Sequence, residues 1–125
     1  MSVMYYASVH TEVSEQLQTL VESAAARSPV EIYRTITSLA HRLSQPSAEV
    51  PIVFLLVAGK EDLIDIISIR NLLMDSRIII ILPDREDDTI SKGHSLRPRF
   101  LSFIDSDFTE LSAVLSKMLQ TYEHT

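Results

Sequence analysis

The sequence predicts an α/β fold, a three-layer sandwich with a central parallel sheet of four or five strands. Two continuous apolar runs, Ile52 to Ala58 and Ile78 to Leu82, are typical of strands buried on both faces of a parallel sheet. Helical stripes of apolar residues alternate with such runs, and the most regular stripe runs from Leu111 to Tyr122. This alternation predicts right-handed crossovers, with helices on both faces of the sheet.

The first half of the chain predicts one strand and two helices. Val3 to Val9 is short and rich in β-branched and aromatic residues, which favours a strand, and apolar residues from Val13 to Ala24 recur at helical spacing. Ser28-Pro29-Val30-Glu31 has the pattern of a capping box at a helix N-terminus. We therefore expect a helix over residues 29–44 in place of a second strand, and a short strand from Val30 to Arg34 is the competing prediction.

The second half is more regular. Glu61 and Asp62 suit the N-terminus of a helix, because the helix dipole favours negative charge there. The polar stretch from Arg85 to Ser95 leaves room for a short helix, and Arg99 to Ile104 predicts another strand. Asp107 is the expected N-cap of the last helix, with Glu110 at the capping-box position. The stripe of the helix that begins near Glu61 consists of Leu63, Ile66, Ile67, Leu73 and Met74.

Length and composition indicate one domain over residues 1–125. Hydrophobic residues make up 46% of the 125, which is enough for a core. Cysteine is absent, which excludes disulfides, thiolate metal sites and cysteine nucleophiles and fits a reducing compartment. The only glycines are Gly59 and Gly93, so glycine-rich phosphate loops are excluded, and we expect no cofactor.

Charge and hydropathy restrict the expected partners and location. A net charge of −6 repels a phosphate backbone, so nucleic acid is not an expected partner. Residues 1–6 lack the basic region and long apolar stretch of a signal peptide, and no apolar run approaches the roughly 20 residues of a membrane span. We expect a soluble, cytoplasmic protein with no membrane partner.

From residue 51 onward, the order and lengths of the predicted elements resemble the receiver domain of two-component response regulators, which has a flavodoxin-like fold. The resemblance covers residues 51–122 and the first strand and helix, and it rests on pattern and length. Receivers transfer a phosphoryl group with residues at the carboxyl ends of their strands. An acidic pair holds Mg²⁺, an aspartate accepts the phosphoryl group, and a Ser/Thr and a lysine complete the set.

None of these receiver residues has a counterpart here. The first strand leads into Ala7-Ser8-Val9-His10 without an acidic pair, and the acceptor position falls at Val57 or Ala58. The Ser/Thr position falls near Pro83, and Phe103-Ile104-Asp105 contains no lysine. The resemblance therefore implies a degenerate receiver, or pseudo-receiver, that is not an enzyme and acts as a signalling or regulatory interaction module.

An alternative is a small-molecule-binding protein or enzyme of flavodoxin-like type, using the crevice at the strand ends. Its candidate residues are His10, Lys60 and Asp84, beside Ser8 and Gly59. The interpretation without a functional site is that His10 is an exposed loop residue and that the charged residues lie at the starts of helices. The acids Asp84, Glu86, Asp87 and Asp88 could hold Mg²⁺ but are more typical of a solvated loop.

The predicted interaction face lies in residues 86–122, because receivers commonly pair through the equivalent surface. Its basic part includes Lys92, Arg97 and Arg99, with His94 nearby, and its apolar part is the last helix. The acids expected beside it are Asp105, Asp107 and Glu110. We expect a homodimer through this face, with Arg97 or Arg99 pairing with an acid of the other copy, or an unrelated protein partner. The residues expected in the contact include Lys92, Arg97, Arg99, Asp105, Leu111 and Met118.

Overall fold

The computed structural model describes residues 2–25, 28–46 and 49–123, and the side chains of these residues up to 120. Its five strands form one all-parallel sheet in the order β2-β1-β3-β4-β5. The strands are β1 (Val3–Ala7), β2 (Val30–Tyr33), β3 (Ile52–Leu56), β4 (Arg77–Leu82) and β5 (Phe100–Phe103). The helices are α1 (Glu12–Ala24), α2 (Ile36–Leu43), α3 (Lys60–Ser68), α4 (Arg70–Leu73), α5 (Asp87–Ser95) and α6 (Thr109–Glu123). The predicted α/β sandwich is confirmed, and its strand order is flavodoxin-like.

The core consists of two apolar layers, one on each face of the sheet. Alternate residues of the central strands β1, β3 and β4 point to opposite faces, and nearly all of them are fully buried. On one face, Tyr5, Phe54 and Ile81 pack against α1 and α6. On the other, Tyr6, Leu55 and Ile80 lie in the layer that α2 to α5 cover. Both layers are needed to remove the central strands from water.

The second strand corrects the prediction of a helix over residues 29–44. Residues from Val30 onward pair in parallel with β1, and the helix begins only at Ile36. Its N-cap is Thr35, whose hydroxyl accepts the Ser38 amide at 3.1 Å. The competing prediction of a short strand is therefore the correct one. The capping-box pattern at residue 28 is a local signal, and the hydrogen bonds that β2 makes along the edge of β1 override it.

An ion pair ties β2 to the helix that follows it. Arg42 Nε donates to Glu31 Oε1 at 2.7 Å, and the Tyr33 hydroxyl donates to the same oxygen at 2.6 Å. Burial of Glu31 opposes its ionisation, but these two hydrogen bonds outweigh that effect and lower the pKa of the carboxyl.

The predicted helix over Glu61 to Met74 is divided in two. The first part ends at Ser68, and Ile69, with φ −107° and ψ 18°, separates it from the short α4. Met74 lies beyond the break and is 75% exposed, so it is not part of the buried stripe that the spacing predicts.

The end of α5 contains a closely packed glycine, and the turn from α5 to β5 contains one residue with a positive φ. Gly93 lies so close to β4 that an added Cβ would come within 3.0 Å of Leu82 Cδ1. Arg97, just after the C-cap of α5, has φ 53°, in the left-handed region that costs a non-glycine residue about 1–2 kcal/mol. Its amide donates to the His94 carbonyl at 2.9 Å, and Pro98 then prevents the helix from continuing.

Replacing Leu55 or Ile80 by aspartate should prevent folding. Both side chains are fully buried, and burying an unpaired charge costs at least several kcal/mol against a total stability of about 5–15 kcal/mol. Ile64→Asp is the matched control, because Ile64 is 53% exposed, and it should change stability by less than about 0.5 kcal/mol. Circular dichroism and thermal melting report the outcome. A Leu55→Asp protein with the spectrum and melting temperature of the wild type would contradict the placement of β3.

Candidate functional site

The carboxyl edge of the sheet is where open α/β folds bind ligands, and five loops begin there. They begin at Ser8 after β1, Arg34 after β2, Val57 after β3, Pro83 after β4 and Ile104 after β5. In a parallel sheet these starts lie side by side, so the edge brings together loops that are distant in sequence.

Asp62, in the first turn of α3, is the centre of a hydrogen-bonded cluster at this edge. The Tyr6 hydroxyl donates to Asp62 Oδ1 at 2.6 Å, and the Ala58 amide donates to Asp62 Oδ2 at 2.9 Å. The Ser8 hydroxyl also donates to Oδ2, at 3.3 Å. Burial and the neighbouring Asp62 carboxylate raise the pKa of the Tyr6 phenol, so it stays a neutral donor. This cluster closes the space between the ends of β1 and β3.

Lys60 and Asp84 lie close to one another, and both contact Glu86. Lys60 Nζ lies 3.0 Å from Glu86 Oε2, and this contact raises the pKa of the lysine. The Glu86 amide donates to Asp84 Oδ1 at 3.0 Å, and that hydrogen bond lowers the pKa of the aspartate. The Lys60–Glu86 contact joins the start of α3 to the loop after β4, and the hydrogen bond to Asp84 lies within that loop.

His10 is not part of this group. Its Nε2 lies 2.7 Å from Glu15 Oε1, and both side chains are well exposed. Among the described residues it has no contact with Lys60 or Asp84. The structure therefore unites two of the three crevice residues and leaves the histidine at the start of α1.

Arg85 binds Asp105 and covers Phe103 at the end of β5. Arg85 Nη2 donates to Asp105 Oδ1 at 2.8 Å, and the guanidinium lies 4.0 Å from the centre of the Phe103 ring. The hydrogen bond from Arg85 lowers the pKa of Asp105. Asp105, which we expect on the rim of the interaction face, is thus paired with an arginine of its own chain.

The acids that follow β4 do not converge on a common point. Within residues 2–25, 28–46 and 49–123, no three His, Cys, Asp or Glu side chains are placed to hold one metal ion. Asp88 instead lies 2.7 Å from Lys92, one turn further along α5, which fits the interpretation of a solvated loop and helix start.

The predicted interaction face is divided between core and surface. Leu111 is 1% exposed and packs in the core, so it offers no surface to a partner; Leu115 and Leu119 are buried with it. Met118 is only half-buried, at the margin of the core. The side chain of Tyr122 lies outside the described residues.

The charged residues of that face lie at two ends of one edge strand. Arg97 and Arg99 precede β5 and are exposed, whereas Asp105 and Asp107 follow it. Lys92 is bound to Asp88. Asp107 Oδ1 accepts the Thr109 amide at 3.2 Å, but α6 begins at Thr109 and the Ser112 amide donates to the Phe108 carbonyl, so Asp107 lies one residue before the N-cap, the position predicted for it. The basic and acidic groups are therefore separated by the length of β5.

Sequence reasoning missed the Tyr6–Asp62 contact, the most tightly bonded contact at the carboxyl edge. The sequence pattern indicates for Asp62 only a negative charge near a helix N-terminus. A usable signal was the tyrosine itself, because a phenol on a fully buried strand needs a hydrogen-bond partner. The partner's identity depends on the crossover from β3 to α3, which spacing does not specify.

Comparisons with protein-family models, with curated proteins and with solved structures found no match. Among the helices of the described residues, none combines the length and apolarity that crossing a membrane requires.

Tyr6→Phe should lower the free energy of unfolding by about 1–3 kcal/mol, because it leaves the part-buried Asp62 carboxylate without its shortest hydrogen bond. Ser8→Ala is the control, since it removes only the long, exposed bond to the same carboxylate and should cost less than about 0.5 kcal/mol. Urea denaturation at pH 7 measures both. Equal costs for the two variants would show that the Tyr6 bond does not hold this edge together.

Proposed function

We propose that this protein is a non-catalytic signalling or regulatory interaction module of the cytoplasm, a degenerate receiver that acts through protein contacts. The observation that carries the proposal is a receiver-like strand order combined with a carboxyl edge that lacks receiver chemistry. Val57 and Ala58 follow β3 where a receiver has its phosphoacceptor aspartate, and neither can be phosphorylated.

The contacts at the carboxyl edge support a structural role for this region. Asp62, in the first turn of the helix that follows β3, accepts hydrogen bonds from Tyr6, Ser8 and the Ala58 amide. A carboxylate that binds three internal donors is stabilised in place and is a poor nucleophile. The alternative of a small-molecule enzyme at this crevice rests on Lys60, which is paired with Glu86, and on Asp84, which accepts the Glu86 amide.

The outer edge of β5 is the surface that we propose for partner contacts. β5 lies at one end of the sheet, so its outer side has no neighbouring strand. All four of its residues are only partly buried, and α5 and α6 border it on the two faces. Such an edge, apolar in the middle and charged at both ends, suits an isologous contact between two copies.

A two-fold axis across β5 would align the two strands in opposite directions. Arg99 of one copy would then face the acids that follow β5 in the other copy. Because Asp105 is bound to Arg85, the acids left for this contact are Asp107 and Glu110, both exposed. We therefore infer a homodimer in which Arg99 pairs with one of these two acids.

Acetyl phosphate or beryllofluoride with Mg²⁺ should neither modify this protein nor raise its melting temperature. The expected intact mass after incubation with acetyl phosphate is that of the unmodified chain, because the acceptor position holds valine and alanine. A receiver domain with its aspartate intact is the positive control. A stoichiometric phosphoryl adduct on an aspartate would contradict the pseudo-receiver proposal.

Arg99→Glu should weaken self-association about tenfold or more without changing the melting temperature, because it places like charges across the dimer. Tenfold corresponds to about 1.4 kcal/mol. Arg34→Glu is the matched control, since it reverses an exposed arginine just after β2 at the opposite edge of the sheet. Light scattering across a concentration series measures the effect.

A second substitution identifies the acid. If Arg99 pairs with Asp107 or Glu110, then Asp107→Arg or Glu110→Arg should restore association in the Arg99→Glu background. A wild-type protein that is strictly monomeric at high micromolar concentration would contradict the dimer, and so would an equal loss of association in Arg34→Glu.

A further inference from the structure

A cavity of about 330 Å³ lies at the amino edge of the sheet, opposite the edge considered above. It lies between the α4 region and the turn that joins α5 to β5. Its polar lining includes Arg70, Asn71, Ser76 and Arg97, and its apolar lining consists of Met74 and Leu96. Small-molecule sites typically span about 300–1,000 Å³, so the cavity has the capacity for a small ligand.

The charge of this cavity differs from that of the chain as a whole. The chain carries a net charge of −6, yet the cavity is lined by two arginines and by no acid. Within the part of the chain that the structure describes, neither guanidinium has a hydrogen bond or an ion pair. Four other cations are paired with carboxylates: Arg42 with Glu31, Lys60 with Glu86, Arg85 with Asp105 and Lys92 with Asp88. The two arginines of the cavity thus retain their capacity to bind an anion.

The backbone at Arg97 is a second, independent observation. Arg97 has φ 53° at the end of α5, where glycine is the favoured residue. Arginine is strained there, and its side chain extends into the lining of the cavity. Strain of this kind is commonly retained where a side chain serves a function.

Neutral groups in the cavity add suitable contacts. Among the described residues, the Asn71 amide and the Ser76 hydroxyl have no side-chain hydrogen-bond partner, so both are available as donors. Met74 is 75% exposed, and with Leu96 it offers an apolar surface beside the charged groups. The lining thus combines cationic, hydrogen-bonding and apolar parts.

We propose that this cavity binds a small organic phosphate monoester. A phosphate monoester carries a charge of about −1.5 to −2 at pH 7, which two guanidiniums balance. The planar fork of arginine matches the spacing of phosphate oxygens, and each such hydrogen bond is charge-assisted. The organic part of the ligand lies against Met74 and Leu96. This inference is independent of the proposed function, because the cavity and the β5 dimer contact use different arginines, Arg70 and Arg97 in one and Arg99 in the other.

The test is an NMR titration of the ¹⁵N-labelled wild-type protein with phenyl phosphate and, separately, with inorganic phosphate, at constant ionic strength. We expect saturable shifts at Arg97, Ser76 and Asn71 with both probes, and tighter binding of phenyl phosphate because of its apolar ring. Arg97→Gly should weaken binding about tenfold or more while the melting temperature stays equal or rises, since glycine relieves the strained backbone. Arg70→Gln should weaken binding to a similar extent.

Arg34→Gln is the matched control, because it removes the same charge from an exposed arginine that lies outside the cavity lining and outside the proposed dimer contact. It should change the affinity less than about twofold. The proposal is overturned if phenyl phosphate produces no saturable shift at millimolar concentration. It is equally overturned if Arg97→Gly binds as the wild type does, or if Arg34→Gln loses as much affinity as Arg97→Gly, since binding would then reflect general positive charge.

Discussion

Burial of β1, β3 and β4 on both faces is the constraint from which the remaining structure follows. Nearly every side chain of these strands is removed from water, so the chain must supply an apolar layer on each side. Helices α1 and α6 provide one layer, and α2 to α5 provide the other. Right-handed crossovers between parallel strands then place all five strand-to-helix loops at one edge and the helix-to-strand turns at the other. The sheet therefore has a carboxyl edge formed by strand-to-helix loops and an amino edge formed by helix-to-strand turns.

The sequence predicted the elements whose signals depend on burial alone. β3 and β4 are continuous apolar runs, and α6 has a regular apolar stripe. Packing in the core therefore favours the same secondary structure that the local pattern predicts. β2 was missed because its four residues follow a strong helix-start pattern at Ser28, and only pairing with β1 decides in favour of a strand. The break between α3 and α4 at Ile69 was not predicted, because no proline or glycine marks it in the sequence. The Tyr6–Asp62 contact and the Arg70–Arg97 cavity were not predictable, since each joins residues that come together only through the crossovers.

The two edges of the sheet differ in how their charges are used. At the carboxyl edge, Asp62, Lys60 and Asp105 each bind a partner inside the chain, and these contacts fasten neighbouring loops to one another. At the amino edge, Arg70 and Arg97 line a cavity without such partners among the described residues. The contacts at the carboxyl edge fix the loops there, and the proposed function places partner contacts elsewhere, at the outer edge of β5.

Hydrogen exchange measured at low and high protein concentration tests this account most directly. Amides of β3 and β4 should exchange slowly at every concentration, because only global unfolding exposes them. Amides of β5, from Phe100 to Phe103, should exchange more slowly as concentration rises into the high micromolar range, while those of β2 stay unchanged. Exchange of β5 that is independent of concentration, or protection that grows at β2 instead, would contradict the claim that the β5 edge is the surface through which the protein associates.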